Sequence, residues 1–426
     1  MSPRVRCDVR GFKDSKVSQS ISFDLADLRV AFEGGLGPAG LTPGAADLLD
    51  FAAAVMQVEH QLAGRQRTNP PVWFRLRMPL RRPQAWTARA KELAAAALQL
   101  LGNAEWQLEL LLPTEGAAVA RANAGAPPGV DQVVLFSGGL DSTCGAATLT
   151  AASDRTRLVS FYTRQKALQQ QLAEQLGFKP PLCQARIVWQ GSSGRGRSFF
   201  YRSFFFLALA AAAAQSWGTR RIEQFENGVL ATAIPPTPAF MMTKHAHPAL
   251  HRLMAQLFTE LLGGGDWEVV NPFANMTKRE CVALARKTAP KAGLAKLLPQ
   301  TQTCWFYWSN RIRGEKADTR RKRPGEGCGV CIPCLVRRTA AVPHDHFTYD
   351  LRLPAVNQHP EMGRAFRSYQ VFLDRVLREG KTPGRFYALL PAAGRMLLDP
   401  ADHAGSLGDL KRLFETFARE FKKTFP

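Results

Sequence analysis

Residues 133–149 read Val133-Val134-Leu135-Phe136-Ser137-Gly138-Gly139-Leu140-Asp141-Ser142-Thr143-Cys144-Gly145-Ala146-Ala147-Thr148-Leu149. Val133 to Phe136 is a continuous apolar run, as expected of a strand in a parallel sheet covered on both faces. Gly138 and Gly139 follow at once. Without a Cβ they let main-chain N–H groups converge on phosphate oxygens, while Ser137 and Ser142 add hydroxyl donors. The helix that opens near Ser142 aims roughly half a positive charge at the same point, which favours a pyrophosphate. The order strand, glycine turn, helix predicts an α/β domain built on a doubly wound parallel sheet, with ligands beyond the C-terminal strand ends.

The pattern S-G-G-x-D-S differs from the Walker loop, because no G-K-[S/T] follows and no lysine is placed to reach a γ-phosphate. Kinase-type chemistry is therefore not expected. The segment resembles the PP-loop of the ATP pyrophosphatase superfamily, whose members split ATP into AMP and pyrophosphate while adenylating an oxygen of the substrate. That resemblance implies an ATP site formed by Ser137, Gly138, Gly139, Leu140, Asp141 and Ser142. Asp141 and Ser142 are its catalytic candidates, with Mg2+ accompanying the nucleotide.

Outward from this motif, βα alternation continues through strands at Arg157–Tyr162, Arg186–Gln190, Arg221–Phe225 and Trp267–Asn271, with a long helix around Phe200–Ser216. Segments just past the strand ends are candidates for the site: residues 162–166, with Arg164 as a phosphate ligand, residues 191–198, and Glu226-Asn227-Gly228. Thr277 and Glu280 form a capping box, and Lys278 in the first turn of that helix is a further ligand candidate. Residues 1–113 read as an N-terminal α+β accessory region, with strands at Ser20–Leu25, Val72–Met78 and Trp106–Leu112 and helices at Asp47–Leu62 and Ala88–Leu101. Residues 114–130 read as a linker, 131–343 as the nucleotide domain and 344–426 as a helical region with basic outer faces.

Cys328-Gly329-Val330-Cys331-Ile332-Pro333-Cys334 is a C-x2-C-x2-C run, and Cys304 supplies a fourth thiolate. Four sulfurs suit tetrahedral zinc, Zn2+, with no open position for catalysis. An iron–sulfur cluster would use the same ligands. His344 and His346 imitate a metal pair, but beside Pro343 a structural role is preferred. Cys144 reads as a small buried residue, since no second C-x-x-C accompanies it.

Lys+Arg of 56 against Asp+Glu of 35 gives a net charge of +21, so an acidic partner protein, a nucleic acid or a polyanionic cofactor suits the chain. No aromatic-interleaved basic motif favours nucleic acid. Residues 1–7 carry no apolar h-region, and Phe204–Ala214 is too short to span a bilayer, so a cytoplasmic protein with no membrane partner is expected. Eight cysteines, four of them clustered, fit a reducing compartment with one metal site.

Together the loop and the cysteines resemble the QueC family, the 7-cyano-7-deazaguanine synthases. Ser137-Gly-Gly-Leu-Asp141-Ser142 is similar to that family's loop. Cys304, Cys328, Cys331 and Cys334 followed by Arg337 are similar to its zinc site, and Asn271-Pro272-Phe273 with Thr277-Lys278-x-Glu280 is similar to the segment between them. The likeness spans roughly residues 131–340. This chain adds the N-terminal region, the C-terminal helical region and the basic insertion 311–324, which resembles the enlarged QueC-like proteins of antiphage systems, QatC and the homologues in type IV CBASS operons. The resemblance implies ATP-dependent activation of a deazaguanine carboxylate, such as 7-carboxy-7-deazaguanine, and its transfer to an amine of a partner protein from the same operon. Nitrile synthesis from ammonia, modification of tRNA, and a non-catalytic ATP-switched binding module are the alternatives.

Overall fold

The computed structural model describes residues 4–11, 13, 16–17, 19–33, 36–37, 40–62, 70–112, 129–161, 165–178, 183–189, 200–238, 240, 242–289, 293–304, 326–347, 360–395 and 406–426. The first region contains β1 (Arg4–Gly11), β2 (Gln19–Asp24), β3 (Leu28–Glu33), α1 (Pro43–Leu62), β4 (Pro71–Pro79), α2 (Ala88–Gly102) and β5 (Glu105–Leu111). Next come β6 (Gln132–Leu135), α3 (Leu140–Thr148), β7 (Thr156–Phe161), α4 (Lys166–Gln175), β8 (Cys183–Trp189), α5 (Arg202–Ser216), β9 (Arg221–Gln224), α6 (Gly228–Ala231), α7 (Pro248–Leu262), β10 (Glu268–Val270), α8 (Lys278–Thr288), α9 (Leu294–Leu297) and α10 (Ile332–Thr339). The chain closes with α11 (Pro360–Glu379), α12 (Pro383–Leu389), α13 (Ala392–Arg395) and α14 (Leu407–Thr424).

A six-stranded sheet of order β10-β9-β6-β7-β8-β3 carries the loop. Five of its strands are parallel, and β3 joins the edge antiparallel to β8, with Val30 opposite Ile187. The sheet is therefore mixed where the sequence pattern predicted parallel strands alone. The apolar alternation of Leu28, Val30 and Phe32 is what places β3 there, half-buried as an edge strand should be. The run β6, β7, β8 leaves β6 in one direction and β9, β10 leave it in the other. Sequentially distant strand ends, those of β6 and β9, are thereby side by side, the arrangement in which open sheets bind ligands.

Side chains alternate across this sheet. Val133, Val159 and Ile222 enter a core shared with α1, α5 and α7, while Val134 and Leu158 enter a second core with α3 and α8. Helix α5 is buried almost all round, which its alanines allow by letting α1 and the sheet come close. Gly145 serves the same end on the other face: a Cβ there would lie 2.0 Å from the Phe225 ring.

The remaining strands form a second sheet, β2-β1-β4-β5, whose inner residues Val5, Cys7, Val9, Phe74 and Leu76 join the α1/α5 core. Helices α11 and α14 pack on α6 and α10 through Tyr369, Phe372, Phe414 and Phe417. Among the described residues, no helix is long and apolar enough to cross a membrane.

Candidate active site and thiol cluster

The turn after β6 is built as a cradle. Gly138 has φ +74°, a conformation that costs a side chain about 1–2 kcal/mol. Gly139 caps α3, and its N–H donates to Ser137 Oγ at 3.1 Å. Ser142 Oγ lies 3.0 Å from Ser137 Oγ and donates to the Gly139 carbonyl at 3.1 Å. From outside, Gln169 Nε2 donates to the Ser137 carbonyl at 3.1 Å, and the Gln302 N–H donates to the Gly138 carbonyl at 3.1 Å. Two distant segments thus hold the turn, and Leu140 is anchored in the core beneath it.

Asp141, in the first turn of α3, is buried and points toward the ends of β9 and α8. Lys278 Nζ lies 2.5 Å from its Oδ2, and both side chains are almost fully enclosed. The capping box at Thr277 and Glu280 fixes the first turn of α8 and so aims Lys278 inward. Asn227 Nδ2 bridges Asp141 Oδ2 at 3.1 Å and Glu226 Oε1 at 2.7 Å. Glu226 Oε2 in turn meets His245 Nε2 at 2.7 Å. Its main chain is gripped by Asn271, which accepts from the Glu226 N–H at 3.1 Å and donates to its carbonyl at 2.7 Å.

The charges in this cluster are strongly coupled. Burial pushes the Asp141 carboxyl up to about 7; the Lys278 charge works against the rise and that of Glu226 adds to it. Burial also opposes ionisation of Glu226, yet hydrogen bonding with His245 and Asp141 and the charge of Lys278 bring it down to about 2. For Lys278 the lowering by burial is outweighed by Asp141 and Glu226, and the ammonium is held above its ordinary range. Asp141 Oδ1 is buried with no hydrogen-bond partner among the described residues, and a buried acceptor left so costs about 1–3 kcal/mol. That orphaned oxygen fits a cation, or a water on one, arriving with a nucleotide.

Cys304, Cys328, Cys331 and Cys334 converge so that all four sulfurs lie within 4.8 Å of one another. The Cys328 and Cys334 sulfurs are 3.9 Å apart. Four thiolates about 2.3 Å from one tetrahedral ion would stand about 3.8 Å apart, whereas ligands on separate irons of a cubane cluster would be spread more widely. The spacing fits one ion, and soft sulfur donors suit zinc. N–H groups of Cys328, Val330 and Cys331 point at the sulfurs at 3.3–3.5 Å, as thiolates require. Arg337, buried on α10, ties the approach to Cys304 in place: it donates to Leu298 O at 2.9 Å, Thr301 O at 2.7 Å and Thr303 Oγ1 at 3.0 Å, and is paired with Asp345 at 2.8 Å.

Of the residues singled out in the sequence, Ser137, Gly138, Gly139, Leu140, Asp141, Ser142 and Lys278 come together at one strand end, and the four cysteines at another place. Arg164, residues 191–198 and the insertion 311–324 lie outside the described residues. His344 and His346 are not in the thiol group; His344 sits in a turn at φ +63°, beside the Asp345 that holds Arg337. Cys144 is buried and its thiol is pushed up by burial, as befits a packing residue. His245 and Gln169 escaped notice, since neither belongs to a motif and each reaches the site only through the fold.

No family model matches the chain. It is 24% identical over 239 residues to the 7-cyano-7-deazaguanine synthases of two strains of Caulobacter vibrioides, a match that takes in 50% of this chain and 93% of each of those enzymes. This distant similarity, with the four-cysteine cluster, supports a QueC-like, ATP-using enzyme.

Proposed function

We propose that the protein adenylates the carboxylate of a 7-deazaguanine, 7-carboxy-7-deazaguanine being the simplest, and passes the acyl group to a nitrogen nucleophile, releasing AMP and pyrophosphate. The observation that carries this is the buried Asp141–Lys278 pair at the mouth of a serine- and glycine-built anion cradle. A turn of glycines and serines at a helix start favours a pyrophosphate leaving group, because N–H and hydroxyl donors gather there with the positive end of the helix dipole.

In the first half-reaction a substrate carboxylate oxygen attacks the α-phosphorus of ATP, and the bond to the β-phosphate oxygen breaks. Ser137, Ser142 and the N–H groups of the turn hold the departing pyrophosphate. Lys278 offsets the charge that gathers beside Asp141. Magnesium bound with the nucleotide would neutralise phosphate charge, and Asp141 Oδ1 is the group that would hold it, directly or through water. The four cysteines would hold a zinc ion that supplies rigidity, leaving it no open position for chemistry. In the second half-reaction the nitrogen attacks the acyl carbon and AMP leaves.

The acceptor we favour is an amine of a partner protein in an antiphage system, a reading supported by the N- and C-terminal additions around the deazaguanine-synthase-like portion. The names of the Caulobacter enzymes favour a second reading, in which ammonia is the nucleophile and a further activation and dehydration gives the nitrile. The test is to incubate the protein with ATP, magnesium and 7-carboxy-7-deazaguanine, with and without ammonium or the neighbouring gene products, and to follow AMP and pyrophosphate. Deazaguanine-dependent AMP formation is expected; none under any condition overturns the proposal.

A further inference from the structure

Beyond the loop, three residues form a hydroxyl–imidazole–carboxylate line that the adenylation step does not use. Thr243 Oγ1 lies 3.1 Å from His245 Nδ1, and His245 Nε2 lies 2.7 Å from Glu226 Oε2. The ring is 27% exposed, so it is open to an incoming molecule while its carboxylate partner is largely enclosed at 14%. Its backbone is held on both sides. Lys244 Nζ donates to Leu100 O at 2.7 Å and to Asn103 Oδ1 at 2.8 Å, at the end of α2, while His247 accepts from the Ala249 N–H at 3.2 Å and caps α7. The N-terminal region therefore helps to place this imidazole.

A nitrogen nucleophile that has attacked an acyl carbon carries a proton it must lose before AMP can leave cleanly. Lys278 is cationic, Asp141 is engaged with it, and Glu226 is too acidic to accept that proton usefully. Imidazole is the side chain suited to the task near neutral pH, and a carboxylate holding one ring N–H leaves the other nitrogen as acceptor. With Glu226 on Nε2–H, the accepting atom is Nδ1, on the side of the Thr243 hydroxyl.

We propose that His245, oriented by Glu226, is the base of the acyl-transfer half-reaction and receives the nucleophile's proton through the Thr243 hydroxyl. The C–N bond forms, and the bond from the acyl carbon to the AMP oxygen breaks with its electron pair leaving on AMP. The nitrogen's proton passes to Thr243 Oγ, whose own proton moves to His245 Nδ1. Among the described residues, the charged and titratable groups around the ring are Glu226 in contact, Asp141 and Lys278 beyond it, and His247 and His251 on the side of α7. This inference rests on the acyl-transfer reading above.

The experiment compares two nucleophiles, ammonium and hydroxylamine, on the full-length protein with ATP, magnesium and 7-carboxy-7-deazaguanine. Hydroxylamine is largely unprotonated and reactive at neutral pH and has little need of a base. In His245→Ala, amide formation from ammonium is expected to fall on the order of 100-fold more than hydroxamate formation. Thr243→Val, which keeps the shape of the side chain and guards against a folding defect, should show the same selective loss to a smaller degree. Equal losses with both nucleophiles, or none, would overturn the relay while leaving adenylation standing. Absence of hydroxamate from the unaltered protein would instead remove the adenylation reading and the relay with it.

Discussion

Lys278 Nζ stands 2.5 Å from Asp141 Oδ2, joining two residues 137 apart in the chain inside a site from which both are nearly excluded from water. Breaking a buried pair by removing one partner costs about 3–5 kcal/mol, because the other charge is left stranded. Lys278→Met should therefore lower unfolding free energy by about that amount in urea titrations. The double change Asp141→Asn with Lys278→Met should regain much of the stability and none of the AMP formation. A single variant within about 1 kcal/mol of the parent would mean that the pair is not enclosed as described.

Gly145 lets α3 sit against Phe225, the residue before Glu226, and Phe225 packs in turn on Phe273 with ring centroids 4.9 Å apart. Gly145→Ala forces that ring to move and should cost about 1–3 kcal/mol, as over-packing does. Because the strain is delivered beside the Asp141, Glu226 and Lys278 cluster, deazaguanine-dependent AMP formation should, on the proposed function, fall even at temperatures where the variant remains folded. Normal turnover in a destabilised variant would separate the packing from the site.

The purified protein should contain about one tightly bound zinc ion per chain by elemental analysis. Cys334→Ser should lose it, and chelation should lower the thermal midpoint, since metal binding contributes to folding. Iron with inorganic sulfide and visible absorbance would reassign the cluster.

Glu420 on α14 accepts from Thr277 Oγ1 at 2.9 Å, at the cap of the helix that bears Lys278. Burial pushes its carboxyl up to about 7, with Arg279 and Arg412 acting against the rise and Glu280 with it. A carboxyl whose folded value exceeds its unfolded value, about 4.5, contributes stability that is fully present below that value and is lost as pH rises through about 7. Docking of α14 should accordingly weaken between pH 5 and 8, read as faster amide exchange in residues 407–424. Glu420→Gln should flatten this dependence; an unchanged pH profile would discount the carboxyl.

The loop strand, the glycine turn and the cysteine run were legible because each is a local pattern tied to one kind of chemistry. The strands β2, β4, β5, β6, β7, β9 and β10 were legible too, to within one residue at each end, and β8 was legible with its start placed three residues late. β1 and β3 were not. Both carry alternating side chains, but three arginines and Asp8 fill the outward positions of β1, and β3 is separated from β2 by only a 3-10 turn, so neither stands out from its surroundings. At the site, the sequence offered Asp141, Lys278 and Glu226 one at a time. Their meeting depends on strand order, which brings the ends of β6 and β9 together, and no local pattern reports strand order. His245 is further removed still, since its position depends on Lys244 reaching α2.

Strand β3 also governs how the chain can be divided. It occupies the outer edge of the six-stranded sheet, so the backbone amides and carbonyls of β8 that face it are already taken. A polypeptide begun after residue 113 would expose that row as a template for strands of other molecules. Deleting the first region would thus produce self-association before it revealed anything about recognition. The natural seam of this protein is not the proline- and glycine-rich stretch between its halves, because the chain has already crossed that seam once, ahead of it in sequence, to close the sheet.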